Sequence, residues 1–157
     1  MKREDFIALV KQEQGPLRRF LLALCLGNQD EADDIAQEAL VKAYLSSDDF
    51  SDTPKFAAWI FKIAYNTFLD HRKTARTFQP LEEAKTLLAT ESADRQFEYQ
   101  ELYKALDTLS YKERTAILLF YIKGYTIREI SKIVDCSEDA VKKQLSRGRE
   151  QLKRKLV

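Results

Sequence analysis

The chain has 157 residues, 45% hydrophobic and 32% charged, with 26 Lys and Arg against 25 Asp and Glu. That balance excludes fibrous, collagen-like and disordered classes and fits one helical domain or two small ones. The net charge of +1 conceals an uneven distribution. Over residues 28–53, Asp30, Glu31, Asp33, Asp34, Glu38, Asp48, Asp49 and Asp52 are opposed only by Lys42, whereas Lys and Arg dominate from Val141 onward. One part suits an electropositive partner and the other a polyanion.

Cys25 and Cys136 lie far apart beside apolar helical positions, so two buried, reduced thiols are expected. No apolar run is long enough to span a bilayer. The N-terminus "MKREDFIALVKQEQG" mixes charge with apolar residues where a signal peptide would carry an apolar core. Both features predict a cytoplasmic protein with no direct membrane insertion.

Gly and Pro are few, and no β-branched alternating run appears, so the chain reads as all-α. Helices are predicted at 3–14, 17–26, 30–45, 54–75, 96–108, 112–123, 127–134 and 138–156. Pro16 and Pro54 suit first helical positions, with Gly15 and Thr53 as their caps, and Gly27 ends the second helix.

In "DTPKFAAWIFKIAYNTFLDHRKTAR", Phe56, Ile60, Ile63, Ala64 and Phe68 share one stripe. Off that stripe lie Trp59, Lys62, Tyr65, Asn66, Arg72, Lys73 and Arg76. Aromatics interleaved with cations suit single-stranded nucleic acid, because unstacked bases rest on rings while phosphates pair with Lys and Arg. Trp59 and Tyr65 are equally at home as packing residues, Trp59 more often so. The next stretch, "TFQPLEEAKTLLATESADR", is weakly patterned and contains Pro80, which reads as a flexible linker over 77–95. Two small helical domains follow, 1–76 and 96–157.

The last domain is the best marked. Ser110 with Glu113, and Thr126 with Glu129, have capping-box spacing; Tyr125 and Ile130 suit a hydrophobic staple, and Gly124 a C-terminal cap. Ala116, Ile117, Phe120 and Tyr121 form one apolar face, and Ile127, Ile130, Ile133 and Val134 another. Only Asp135 and Cys136 separate the next helix from its Ser137 cap, which makes a helix-turn-helix. In the final helix Val141, Leu145, Leu152 and Leu156 form an inward stripe. Lys142, Lys143, Ser146, Arg147, Arg149 and Lys153 fall away from it, as groups that hold phosphates and read base edges would. A basic amphipathic helix also suits membranes or partner helices, but neither needs a doubly capped pair with a minimal turn.

One histidine, no phosphate-cradling glycine loop and no Cys/His cluster at metal spacing argue against an enzyme, a metal site or any cofactor. His71 reads as a surface or phosphate-contacting residue.

Three blocks in order, "DEADDIAQEALVKAY", "FAAWIFKIAYNTFLDHRK" and "LYKALDTLSYKERTAILLFYIKGYTIREISKIVDCSEDAVKKQLSRGREQL", resemble the extracytoplasmic-function group of bacterial RNA polymerase sigma-70 factors. The resemblance covers nearly the whole chain. It implies a transcription initiation factor with the second and fourth conserved regions and without the third. Asp33, Asp34, Gln37 and Glu38 then match the surface that grips core polymerase. Trp59, Lys62, Tyr65, Asn66, Arg72, Lys73 and Arg76 match the part that melts and holds the minus-ten element, with Asn66 the foremost base contact. Lys142, Lys143, Ser146, Arg147, Arg149 and Lys153 fall on the helix that reads the minus-thirty-five element.

The implied partners are core polymerase, promoter DNA as duplex and melted strand, and an anti-sigma factor that no residue here identifies. The chain departs from the family pattern at Ser110 (often proline), at Asp135 (often glycine) and at Gly148 (usually alanine). Gly148 should cost roughly 1 kcal/mol of helix propensity, and either admits a close neighbour or is merely tolerated. Two other classes stay open on the residues alone: a DNA-binding regulator that never joins polymerase, and a helical adaptor that touches only protein.

Overall fold

The structure, a computed structural model, describes residues 1–50, 53–75 and 93–156. Seven α-helices make up these residues, with no strand among them: α1 (Arg3–Leu24), α2 (Gln29–Leu45), α3 (Phe56–Ala75), α4 (Ala93–Asp107), α5 (Tyr111–Lys123), α6 (Ile127–Val134) and α7 (Glu138–Leu156). Short 3-10 turns at Ser47–Asp49 and Thr53–Lys55 connect α2 to α3, so Pro54 sits in a turn ahead of the α-helix proper. The expected linker lies almost wholly outside the described residues, as does Arg76.

The first two predicted helices are one. Gly15 and Pro16 fall inside α1, although a proline there removes a main-chain hydrogen bond and crowds the preceding turn. The apolar stripe explains why the helix continues. Phe6, Leu17, Phe20, Leu21 and Leu24 all lie buried along one side, and a break at Gly15 would misalign the halves of that stripe. The helix runs on to Leu24, and the chain then turns through Leu26 and Gly27, both left-handed at φ 57° and 86°. Gly27 is required twice over, because a Cβ there would stand 2.8 Å from the Tyr103 ring of α4.

The later boundaries follow their caps. Both capping boxes are formed: Ser110 Oγ accepts from Glu113 N at 3.2 Å while Glu113 Oε1 accepts from Ser110 N at 3.0 Å, and Thr126 and Glu129 repeat the pattern. Ser137 Oγ accepts from Ala140 N at 3.1 Å. Gly124 caps α5 at φ 67°, and Asp135 turns the chain between α6 and α7 at φ 55°.

The front helices α1, α2 and α3 pack together, as do the rear helices α4 to α7. The two groups also pack on each other, α1 against α5 and α3 against α6, so one continuous core runs through both. Three departures from the predicted faces accompany this docking. The α5 helix is buried nearly all round, Arg114 through Leu119, because α7 covers one side and α1 another. Tyr121, expected inward, is instead 62% exposed. In α3 the second covered face takes in Phe61 and Tyr65, outside the predicted stripe.

Leu156, expected on the inward stripe, is 53% exposed where α7 runs past the core. Gly148 is buried: a Cβ there would meet Ile117 Cγ1 at 2.7 Å, so the glycine lets α7 lie close on α5.

Candidate nucleic-acid interface

The outward face of α7 carries Lys142, Lys143, Ser146, Arg147 and Lys153, all exposed. The opposite face is seated by Val141 and Leu145 at 0% and 1% exposure. On α6, Arg128 and Lys132 are exposed as well and extend the cationic surface across the helix pair. Arg149 differs from the rest. Its Nε donates to Tyr121 Oη at 2.9 Å, and its guanidinium lies 4.9 Å from the centre of the Phe120 ring. It is exposed but folded back against α5.

The α3 residues separate into two groups. Lys62, Asn66 and Lys73 are exposed. Trp59 is half-buried, stacked on Phe50 at 4.5 Å with the planes 6° apart, so one ring face is occupied by protein. Tyr65 is 4% exposed; burial, then the neighbouring Tyr111 and Cys136, push its hydroxyl pKa up. Arg72 is exposed but lies over the Tyr111 ring at 4.6 Å. The sequence pattern therefore groups residues that the fold distributes between surface and interior.

On α2, Asp34, Gln37 and Glu38 project into solvent, and Asp33 pairs with Arg18 at 3.3 Å. Glu38 is tied to α3. His71 Nε2 donates to its Oε2, Lys42 Nζ stands 3.4 Å from its Oε1, and Lys42 also reaches Asp70 at 3.7 Å. The His71 hydrogen bond, then the Lys42 charge, hold the Glu38 carboxyl below its ordinary pKa. His71 thus serves the acidic surface of α2, a pairing across 33 positions that local periodicity does not reveal.

Sequence reasoning also passed over Val41 and Leu45, 58% and 74% exposed on the same side of α2 as Glu38. They place apolar surface beside the acidic stripe, as protein–protein contact surfaces do. The detectable signal was large apolar residues at positions the helix period assigns to solvent.

Among the described residues no cluster of three or more His, Cys, Asp or Glu could hold a metal ion, and no helix is long and apolar enough to cross a membrane. Both cysteines are free thiols; Cys25 is buried, which pushes its pKa up, while Cys136 is half-buried.

Residues 9–78 match the family model for sigma-70 region 2, and residues 99–152 match that for sigma-70 region 4. The ECF RNA polymerase sigma factor EcfG of Rhodopseudomonas palustris strain TIE-1 is 33% identical over 153 residues, 96% of this chain and 82% of that protein. The chain belongs to the ECF sigma factors of the sigma-70 family.

It is thus a promoter-specific transcription initiation factor, and the family acts through polymerase without catalysing a reaction of its own. The fold of this sigma factor is similar to that of the sigma factor RpoE in its co-crystal structure with the anti-sigma factor NepR from Bartonella quintana. That match has a TM-score of 0.79 at 27% identity, over 98% of this chain and 97% of the other. It is similar also to CnrH in complex with the cytosolic domain of CnrY, with a TM-score of 0.75 at 25% identity over 99% and 89% of the two chains. Both superpositions span front and rear helices together.

Proposed function

We propose that this sigma factor divides its work by surface. The domain of residues 1–76 meets core polymerase through Asp33, Asp34, Gln37 and Glu38 of α2, with Val41 and Leu45 adding apolar contact at the edge of the acidic stripe. The same domain holds the melted minus-ten strand with Lys62, Asn66, Lys73 and Arg76, joined by Trp59, Tyr65 and Arg72 where packing leaves them accessible. Asn66 carries both donors and acceptors and addresses the edge of an extruded base.

The domain of residues 96–157 reads the minus-thirty-five duplex with α7. Lys142, Lys143, Ser146, Arg147 and Lys153 face outward; Arg149 contributes once it leaves Tyr121. Lys or Arg there addresses guanine O6 and N7, and the remaining groups hold phosphates. The observation that carries this reading is the exposed cationic face of a helix seated by a doubly capped helix pair, set against an acidic and apolar stripe elsewhere on the molecule. The factor works in the cytoplasm without a cofactor, metal or chemistry of its own. The likeness to sigma factors captured with NepR and CnrY supports an anti-sigma partner.

Run-off transcription with purified core polymerase on genomic fragments tests the reading. Specific starts that depend on the added chain support it, and their absence with every inhibitor removed overturns it. In the same assay Arg147→Ala should weaken upstream-element occupancy by about 1 to 3 kcal/mol, read by footprinting. Asn66→Ala should impair open-complex formation more than closed-complex binding; equal loss in both would make Asn66 structural.

A further inference from the structure

Lys142, Ser146, Arg149 and Lys153 follow one another at spacings of four, three and four, so they run down a single lengthwise stripe of α7. Val141, Leu145 and Gly148 point into the core, and Arg149 reaches Tyr121, so the stripe lies on the flank of α7 that borders α5. A helix seated in a major groove turns its flanks toward the sugar-phosphate walls while its outermost side chains meet base edges.

Tyr121 stands beside that flank. At 62% exposure its ring gains little from burial, so packing does not account for an aromatic there. Its hydroxyl oxygen accepts from Arg149 Nε at 2.9 Å, and the Phe120 ring backs the guanidinium at 4.9 Å. Phe120 and Tyr121 meet edge to face at 5.1 Å, which steadies the cradle they form. No carboxylate shares it: Glu150 is taken by Arg154 at 2.9 Å, and Arg149 has no acidic partner among the described residues.

Donors outnumber acceptors in this cluster. Of the guanidinium's N–H groups only that on Nε is used, and the Tyr121 hydroxyl accepts a bond while its own proton goes to no group among the described residues. Two donor atoms 2.9 Å apart can both reach one anionic oxygen, and here they do so at the edge of the surface proposed to meet DNA.

We propose that Tyr121 and Arg149 form a clip for one phosphate of the duplex backbone, built in part from a helix outside the helix-turn-helix. The clip deepens the minus-thirty-five reading given above and rests on it. A phosphate oxygen displaces the tyrosine as acceptor: Arg149 offers Nε and one terminal nitrogen side by side, and Tyr121 changes from acceptor to donor. The Phe120 backing holds the guanidinium within reach beforehand, which lowers the ordering cost of the contact. A backbone contact carries no base preference, so the clip sets the position of α7 on the duplex and leaves the reading of bases to its outer face.

The full chain assembled with core polymerase, on a promoter fragment recovered by run-off transcription, tests the clip. Closed-complex affinity is titrated on that fragment and on copies that each carry one neutral methylphosphonate in the upstream element. Tyr121→Phe keeps the ring and removes the hydroxyl; it should weaken binding by about threefold to tenfold at an unchanged salt slope. Arg149→Gln should weaken it by about tenfold and lower the slope by about 1. Both side chains are exposed, so neither substitution empties the core. Of the methylphosphonate positions that weaken wild type, one should have no effect in either variant, because the contact it removes is already gone. A change that merely loosened the seat of α7 would leave that position as sensitive as before. The double variant should bind little worse than Arg149→Gln alone, as two donors to one phosphate require. Tighter binding by Tyr121→Phe would show that the tyrosine only restrains Arg149, and overturns the clip. So does a wild-type methylphosphonate pattern in both variants while starts remain normal. A wild-type chain that directs no start at all, with every inhibitor absent, removes the minus-thirty-five reading and the clip together.

Discussion

At the scale of single residues, Gly148 shows a propensity rule yielding to contact. Alanine would gain about 1 kcal/mol of helix propensity. Its Cβ would also stand 2.7 Å from Ile117 Cγ1 and 3.1 Å from Cδ1, and overpacking of this kind costs about 1 to 3 kcal/mol. Gly148→Ala should therefore destabilise the chain in urea melts. In an Ile117→Ala background, where the obstructing atoms are gone, the same change should become stabilising, and a double-mutant cycle measures the difference. Glu38 gives a residue-level pH dependence. Its folded pKa lies below the ordinary value because His71 and Lys42 favour the carboxylate. Its contribution is then fully present above the unfolded carboxylate pKa and disappears as pH falls through the folded one. Melting temperatures of wild type and Glu38→Gln should differ near neutrality and converge in acid. A constant gap across the range would show that the carboxylate's charge is not what stabilises. The side chain is largely solvated, which keeps the effect small.

At the scale of elements, α1 and the helix-turn-helix mark what local sequence does and does not encode. The bounds of α6 and α7 were legible because each carries its own cap: Thr126 with Glu129, Ser137, and a left-handed Asp135 between them. The continuity of α1 was not, since Gly15 and Pro16 are local stop signals and the force that overrides them is burial against distant helices. Pro16→Ala should restore a regular turn and stabilise the chain by about 1 to 3 kcal/mol, visible as a higher melting temperature. A lower one would mean that the Pro16 ring itself is needed for packing. The candidate site divides in the same way. The exposed cations of α7 follow from helical period alone. Withdrawal of Arg149 onto Tyr121, the seating of Trp59 on Phe50 and the pinning of Glu38 by His71 each depend on a partner brought close by folding. Tyr65 and Phe61 are buried outside the predicted stripe for one reason: α3 has two covered faces, and its second cover, the rear helices, is remote in sequence.

For the molecule as a whole, the packing of the rear helices on the front helices sets the stability and can be adjusted. Tyr125→Phe removes a buried hydroxyl that has no partner among the described residues, and should raise stability by about 1 kcal/mol. An unchanged melting temperature would show that the buried hydroxyl carries no such penalty. Temperature enters through α5, whose run from Arg114 to Leu119 is enclosed between α7 and α1. Unfolding wets that hydrocarbon, and newly wetted hydrocarbon raises the heat capacity of the unfolded chain. The unfolding equilibrium therefore bends with temperature, and deep cooling weakens the apolar share of what holds the packed form. The packed form is thus held best at one intermediate temperature, and both heating and deep chilling draw it down.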